Sequence, residues 1–219
     1  MTQKSTIAVI GLGNIGTVVA SNLVKGSRSV IVADRTIEKA NALAQKLGTL
    51  VQPATIADAI NKADIIVFAV WFNTIKELLH TYATELQGKI IVDPSNPIAP
   101  DENGGFKKII GKDESAGEIL QALLPAHAIL VKALGTLGAA SLENAAFQQP
   151  DKAVLFYAAD DTSVKASIEE VIQDSGFDAL YVGGINQSIR IEVFGELHEF
   201  GALGKTVTLN EAQKIAVPA

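Results

Sequence analysis

A glycine-rich hexapeptide near the amino terminus carries the clearest chemical signal in the sequence. Residues 11–16 read GLGNIG, which has the spacing G-x-G-x-x-G, and they directly follow the apolar run STIAVI. After a strand and at the start of a helix, the first glycine, Gly11, makes a tight turn. The second, Gly13, lets the backbone approach a pyrophosphate, and the third, Gly16, allows the helix to pack closely on the strand. The motif therefore predicts a dinucleotide site.

An acid and two bases follow the next apolar run. Asp34 ends the run SVIVA, about 20 residues after the glycine motif, where a carboxylate accepts hydrogen bonds from the ribose 2′-hydroxyl of NAD. Arg35 is adjacent to it, and Lys39 follows one helical turn later. These two cations could instead hold the 2′-phosphate of NADP. The residues alone leave NAD(H) and NADP(H) both open.

Three further stretches follow predicted strands, at the edge where open parallel sheets bind their ligands. The single tryptophan lies after the fourth strand, and a proline-stiffened segment lies after the fifth. Small residues after the sixth strand leave room for a planar ligand, and Thr136 could donate a hydrogen bond to a carboxamide. The residues expected to contact a cofactor in these stretches are Val70, Trp71, Pro94, Asn96, Thr136 and Ala139.

The sequence contains no convincing catalytic acid–base pair. The candidates for a proton donor are Lys132, Thr136 and His198. Glu192, Glu196 and His198 lack a recognisable metal spacing, so we expect no metal site. The chain has no cysteine, which excludes thiolate nucleophiles, iron–sulfur clusters and cysteine zinc sites.

Composition narrows the class of partner. The 219 residues carry a formal net charge of −6 without any run of four basic residues, which argues against nucleic acid as a partner. No segment approaches the roughly 18 uncharged apolar residues of a membrane span. We therefore expect a cytoplasmic protein whose partner is a small molecule.

Apolar runs alternate with amphipathic segments, which predicts an α/β fold. We expect a doubly wound, mainly parallel Rossmann sheet with a small C-terminal extension. Residues 1–135 would form the dinucleotide-binding domain, and residues 136–219 would complete the sheet and the second-substrate site. A helix is predicted from Thr74 and another over 189–203, the latter carrying His198. Residues 93–114, rich in Pro, Gly, Asn and Asp, are predicted to be a long functional loop.

With these residues in place, the chain resembles the coenzyme F420-dependent NADP oxidoreductase family, compact Rossmann proteins that pass hydride between NADP(H) and a deazaflavin. The resemblance runs over nearly the whole length and depends on the order of several motifs. These motifs are GLGNIG, DRTIEK, VWFNTI, KIIVDPSNP, GGF, VKALGTLGAA and FGALG.

The resemblance implies a nicotinamide stacked face to face on a flat redox partner, in a homodimeric protein. Such a reaction needs positioning more than acid–base groups. Family members typically carry Ser or Thr at the position of Asp34, and deazaflavin-using members carry His and Pro at the positions of Gly135 and Gly138. With the family included, NADP(H) is favoured over NAD(H). The implied nucleotide contacts are Leu12, Asn14, Ile15, Asp34, Arg35, Lys39, Trp71, Asn96 and Ala139.

The function predicted from the sequence is that of an NAD(P)-dependent oxidoreductase. Hydride would pass between a nicotinamide and a planar coenzyme, either deazaflavin or flavin. One alternative is a reductase of a small imine or carbonyl compound, which would need a proton donor. A second alternative is a nucleotide-sensing binding protein without turnover.

Overall fold

The computed structural model describes residues 4–102 and 104–216, in which strands and helices alternate. The strands are β1 Ile7–Ile10, β2 Val30–Ala33, β3 Val51–Pro53, β4 Ile65–Phe68, β5 Ile90–Asp93, β6 Ile98–Pro100, β7 Phe106–Lys108, β8 Ile129–Lys132, β9 Val154–Ala159 and β10 Asp178–Tyr181. The helices are α1 Asn14–Lys25, α2 Ile37–Leu47, α3 Ile56–Lys62, α4 Phe72–Thr81, α5 Ala116–Gln121, α6 Ala139–Asn144, α7 Lys165–Asp174, α8 Ser188–Ile191 and α9 Leu209–Ile215.

One eight-stranded sheet organises the chain, in the order β10-β9-β8-β5-β4-β1-β2-β3. Its pairs from β3 through β8 are parallel, which gives the six-stranded order of a doubly wound nucleotide-binding fold. Strand β9 pairs antiparallel with β8, and β10 pairs parallel with β9. The predicted Rossmann fold with a C-terminal extension is confirmed.

The sheet is covered on both faces, as its uninterrupted apolar strands predicted. Successive residues of β1 point to opposite sides, so that Val9 packs in one apolar cluster and Ile10 packs in the other. The first cluster includes Leu23 of α1, and the second includes Leu79 of α4. Burial on both faces is characteristic of parallel sheets with helical crossovers.

In the chain before β8, the structure differs from the sequence prediction at two elements. Helix α4 begins at Phe72, with Trp71 at its N-cap, and it ends at Thr81. Its start therefore lies two residues before the predicted Thr74. Within the 93–114 segment, β6 and β7 form a two-stranded antiparallel hairpin, so this connection is partly ordered by local backbone pairing.

The helix predicted over 189–203 is wrong. Only Ser188–Ile191 is helical. Phe194 then adopts φ +68°, and a Cβ atom at position 201 would lie 1.8 Å from the carbonyl oxygen of Gly195. The apolar spacing in this stretch resembles that of a helix, but its two glycines bring the backbone into close contact with itself.

Among residues 4–102 and 104–216, no helix is both long and apolar enough to cross a membrane.

Candidate cofactor site

The glycine loop between β1 and α1 has the geometry that its motif predicted. Gly11 adopts φ +94°, and a Cβ atom there would lie 2.6 Å from the carbonyl oxygen of Ala69. A Cβ atom at Gly16 would lie 1.8 Å from the carbonyl oxygen of Gly11, so helix and loop are packed without room for a side chain. A Cβ atom at Gly13 would meet no described heavy atom within 4 Å. Gly13 therefore presents a bare backbone to open space, as a phosphate-binding turn requires.

Asp34 follows β2 and braces this loop. Its Oδ2 atom accepts a hydrogen bond of 2.9 Å from the amide of Leu12 and lies 3.7 Å from the Nζ atom of Lys39. The carboxylate is only 12% exposed, whereas the Lys39 side chain is 58% exposed. Arg35 is also exposed and has no ion-pair partner among the described residues. A partly neutralised acid beside an unpaired guanidinium fits the adenosine end of a dinucleotide.

The loop after β4 presents the tryptophan of the chain to solvent. Trp71 is 57% exposed, and Val70 beside it is half-buried. Because β4 lies next to β1 in the sheet, both residues stand at the same edge as the glycine loop.

The loops after β5 and β8 are joined by the side chain of Asn96. Its Nδ2 atom donates to the carbonyl oxygen of Gly135 at 3.1 Å, and its Oδ1 atom accepts from the amide of Val193 at 2.7 Å. Gly135 is pressed against Pro94, since a Cβ atom there would lie 2.4 Å from the Pro94 carbonyl oxygen. Asn96 therefore holds three segments together at the place where the sequence predicted a cofactor contact.

Thr136 is 2% exposed, and its Oγ1 atom has no hydrogen-bond partner within the described part of the chain. The Oγ atom of Ser95, in the neighbouring loop after β5, is also buried and has no hydrogen-bond partner among the described residues. Unpaired buried hydroxyls are uncommon in folded proteins and call for a partner such as a ligand or water. Together with the open face at Gly13, they fit a dinucleotide lying across this edge.

Lys132, expected as a possible proton donor, is enclosed in an ion pair. Its Nζ atom lies 2.6 Å from Oδ2 of Asp93 and 4.0 Å from Oε1 of Glu192, and it also donates to the Ser95 carbonyl oxygen. Lys132, Asp93 and Glu192 are each at most 2% exposed. A buried cation needs such partners, so the ammonium group serves as part of a structural ion-pair cluster rather than as a proton donor.

Glu192 forms the far side of this cluster and fixes the start of α5. Its Oε1 atom accepts from the Ser115 hydroxyl at 3.0 Å and from the Gly117 amide at 2.9 Å. Its Oε2 atom accepts from the Ala116 amide at 3.0 Å. A carboxylate at a helix N-terminus satisfies amides that lack partners within the helix.

His198, the third candidate, is also held by the backbone. Its Nε2 atom lies 3.0 Å from the Gly135 carbonyl oxygen, and its Nδ1 atom accepts from the amide of Phe200 at 3.0 Å. Burial lowers the pKa of His198, while the Gly135 carbonyl and Glu199 act in the opposite direction and Lys132 adds to the lowering. A neutral ring with both nitrogens engaged is a structural group rather than a proton donor.

Residues 192–201, here called the cover segment, lie over the two carboxyl-edge loops. Besides the Asn96 and His198 contacts, the Glu199 amide donates to the Thr136 carbonyl oxygen at 3.1 Å, and a Glu199 carboxylate oxygen accepts from the Gly138 amide. No local sequence pattern predicted this arrangement. Its available signal was the pair of Phe-Gly steps in FGELHEFG.

The described part of the chain has a cavity at the opposite edge of the sheet and no candidate metal site. The described residues contain no group of three or more His, Asp or Glu side chains that could hold a metal ion. A cavity of about 520 Å³ lies at the opposite edge, lined by residues at the amino ends of β1, β2 and β3. Ligands of open α/β sheets bind at the carboxyl ends, so we take the edge containing the glycine loop as the functional one.

Comparison with known proteins finds related oxidoreductases. Residues 6–97 match the family model described as NADP oxidoreductase, coenzyme F420-dependent. The matched residues make up less than half of the chain. The matched F420-dependent oxidoreductase region runs from the start of β1 into the loop after β5, and so contains the glycine loop, Asp34 and Trp71.

Two solved structures at 25% identity share the fold. A hypothetical protein of Sinorhizobium meliloti superimposes with a TM-score of 0.80, covering 93% of this chain and 95% of that chain. A putative F420-dependent NADP reductase from Arthrobacter sp. FB24 gives 0.71, covering 84% and 86%. A reductive aminase from Aspergillus terreus, solved with NADPH and ethyl levulinate, gives 0.59 at 21% identity and covers 85% and 57%; it shares the fold alone.

Two curated relatives are longer proteins. Metalloreductase STEAP3 of Rattus norvegicus is 27% identical over 190 residues, which are 87% of this chain and 36% of that protein. Glutamyl-tRNA reductase of Caldivirga maquilingensis is 40% identical over 97 residues, 43% of this chain and 24% of that protein. The chain thus spans about a third and a quarter of their lengths. The matched family model and both relatives bear the names of reductases or oxidoreductases, the class of enzyme that the sequence predicts.

Proposed function

We propose that the chain binds NADP(H) along the carboxyl edge of the sheet and catalyses hydride transfer between its nicotinamide and a planar redox coenzyme, flavin or deazaflavin. The observation that carries the proposal is the glycine loop: crowded at Gly11 and Gly16, and open at Gly13. The family match over residues 6–97 supports both the cofactor and the class of reaction.

The strand order supports one direction for the cofactor along this edge. Asp34 follows β2, the glycine loop follows β1, and Thr136 lies after β8, four strands from β2. Four steps of about 4.8 Å separate the two ends by about 19 Å. The adenosine lies at Asp34 and the nicotinamide at Asn96 and Thr136. A bound nicotinamide would supply a hydride there to the oxidised planar coenzyme, which would also take up one proton from solvent. In the reverse direction the reduced coenzyme would return the hydride and release that proton.

At the adenosine end, the exposed cations favour the 2′-phosphate. Oδ2 of Asp34 is already engaged by the Leu12 amide and faces Lys39, which reduces the charge that it presents to a ligand. Arg35 remains available for a bidentate contact with phosphate. NADP(H) is therefore the proposed cofactor rather than NAD(H).

Reduction of a small imine or carbonyl compound is less well supported. That reaction needs a proton donor at the nicotinamide, and Lys132 and His198 are both buried and engaged by other protein atoms. Thr136 is the remaining candidate, and an unassisted hydroxyl is a weak acid. Transfer between two preorganised rings needs no such group.

The decisive experiment mixes the protein with NADPH or NADH and, separately, with FMN, FAD and a deazaflavin, and follows the absorbance of the reduced nicotinamide. We expect oxidation of NADPH by at least one planar acceptor. Gly13→Ala serves as the negative control because it fills the phosphate turn. Tight nucleotide binding without oxidation by any of these acceptors would contradict the proposal and support a nucleotide sensor.

Homodimer formation, implied by the family, stays a prediction. Sedimentation velocity of the protein with and without NADPH measures it directly.

A further inference from the structure

Two phenylalanines of the cover segment expose their rings at the edge where the nicotinamide is proposed to lie. Phe194 is 53% exposed and Phe200 is 61% exposed. Each precedes a glycine, and the two glycines touch, since a Cβ atom at Gly201 would lie 1.8 Å from the Gly195 carbonyl oxygen. Large aromatic rings bury substantial apolar area when they find a partner, so a ring held in solvent next to a ligand site indicates a contact surface.

Phe200 is fixed at its backbone and open at its ring. Its amide donates to Nδ1 of His198 at 3.0 Å, and the two ring centroids are 5.5 Å apart. His198 is in turn bonded to the Gly135 carbonyl oxygen. The backbone of Phe200 is thus tied to the loop after β8, while most of its ring surface faces solvent. An anchored aromatic side chain loses little conformational entropy when a ligand packs on it.

The ring of Phe200 lies directly above the start of α6. A Cβ atom at Gly138 would lie 2.9 Å from the Cζ atom of Phe200 and 2.9 Å from an Oε atom of Glu199. Gly138 therefore provides the space that the ring occupies. The carboxylate of Glu199 is bound by the Gly138 amide, so its charge is directed toward the helix start.

This position adjoins the proposed nicotinamide end. Gly138 is two residues from Thr136, whose buried hydroxyl has no partner within the described part of the chain. The Glu199 amide is bonded to the Thr136 carbonyl oxygen at 3.1 Å, so the cover segment and the loop after β8 form one surface. A flat molecule beside the nicotinamide would meet the Phe200 ring.

We propose that Phe200 is the residue on which the planar ring of the second substrate packs, which makes it a positioning and specificity-determining residue for an isoalloxazine or deazaisoalloxazine ring. This inference rests on the proposed function only in taking the Thr136 end of the sheet edge as the nicotinamide end. Offset stacking of a flat ring on a phenyl ring supplies both affinity and orientation.

The test measures binding separately from turnover. Riboflavin is titrated into the protein saturated with NADP⁺, and quenching of riboflavin fluorescence reports binding. We expect Phe200→Ala to weaken riboflavin binding about tenfold, and Phe200→Trp to retain it. The Kd for NADPH is expected to change less than about twofold. Leu123→Ala, which removes another exposed apolar side chain after α5, is the matched control and should leave both constants unchanged.

The outcomes separate this inference from the proposed function. Binding of riboflavin that depends on Phe200, without hydride transfer to any acceptor, supports this inference while the proposed function fails. Hydride transfer to flavin or deazaflavin with the same acceptor KM in wild type and Phe200→Ala overturns this inference and leaves the proposed function intact. Absence of riboflavin binding to the wild-type complex, or equal loss of riboflavin and NADPH affinity in Phe200→Ala, also overturns it.

Discussion

The amide of Leu12 donates a hydrogen bond of 2.9 Å to Oδ2 of Asp34, across 22 positions of sequence. One carboxylate therefore braces the glycine loop, and it is also the group that we propose to face the ribose of the dinucleotide. Lys39 lies 3.7 Å from the same oxygen, so the charge of Asp34 is partly neutralised within the protein. These two roles of Asp34, as a brace and as a charge, can be separated by mutation.

Asp34→Asn removes the negative charge and keeps an oxygen that can accept from the Leu12 amide. We expect the affinity for NADPH relative to NADH to rise about tenfold, because a carboxylate repels the 2′-phosphate. Isothermal titration with both nucleotides measures the ratio. Asp34→Ser, which also shortens the side chain, should shift the ratio in the same direction. An unchanged ratio in both variants would mean that Asp34 does not read the ribose.

Arg35→Gln removes the exposed guanidinium beside the adenosine end. We expect about a tenfold loss of NADPH affinity with little change for NADH, because only NADPH carries the 2′-phosphate. Lys46→Gln, in the last turn of helix α2 and away from its N-terminus, is the charge-matched control and should leave both affinities unchanged. Equal weakening of NADPH and NADH by Arg35→Gln would contradict a specific phosphate contact.

Gly13→Ala should weaken nucleotide binding without loss of stability, whereas Gly16→Ala should lower the stability of the fold. Gly13 has φ −79° and no neighbour within 4 Å among the described atoms, so a methyl group is tolerated by the fold and obstructs only a ligand. We expect wild-type thermal stability and at least about a tenfold loss of nucleotide affinity. At Gly16 the methyl group would meet the Gly11 carbonyl oxygen, so we expect a loss of about 1–3 kcal/mol of unfolding free energy. Wild-type nucleotide affinity in Gly13→Ala would place the phosphates elsewhere.

Lys132→Met leaves the buried carboxylates of Asp93 and Glu192 without their shared cation. We expect the free energy of unfolding to fall by about 3–5 kcal/mol. Asp93→Asn combined with Lys132→Met removes one of the uncompensated charges and should recover part of that loss. Urea denaturation of both variants measures the coupling. A variant Lys132→Met with wild-type stability and reduced turnover would instead indicate a catalytic lysine.

Because His198 is buried as a neutral ring, we expect the free energy of unfolding to fall in mild acid. Burial holds its folded pKa below the ordinary value of 6.5, so below pH 6.5 the unfolded chain binds a proton that the folded chain rejects. The stability due to the neutral ring is complete above that value and falls as the pH drops toward the folded pKa. Urea unfolding at about pH 7.5, 6.5 and 5.5 should show a smaller decrease for His198→Gln than for wild type. Parallel decreases in the two proteins would assign the pH dependence to other groups.

Much of the framework could be predicted from local sequence. The glycine motif, the helix from Asn14 to Lys25 and the buried strands follow from patterns that repeat over a few residues, and the structure has each of them. The prediction of a helix over 189–203 was wrong because it also relied on a local pattern. Its apolar spacing is local, but its conformation depends on the close contact between Gly195 and Gly201 and on the long-range bonds of Glu192 and His198.

The candidate site likewise combines features that local sequence predicts with features that depend on tertiary contacts. The sequence alone determined that a glycine turn follows β1 and that Asp34, Arg35 and Trp71 lie at the same edge of the sheet, because motif spacing and strand ends place them there. Only the tertiary structure decided that Lys132 and His198 are enclosed and that Asn96 joins three segments. It also decided that Phe200 covers Gly138. These contacts join residues about 40 to 100 positions apart, and their geometry arises from packing that no local pattern encodes.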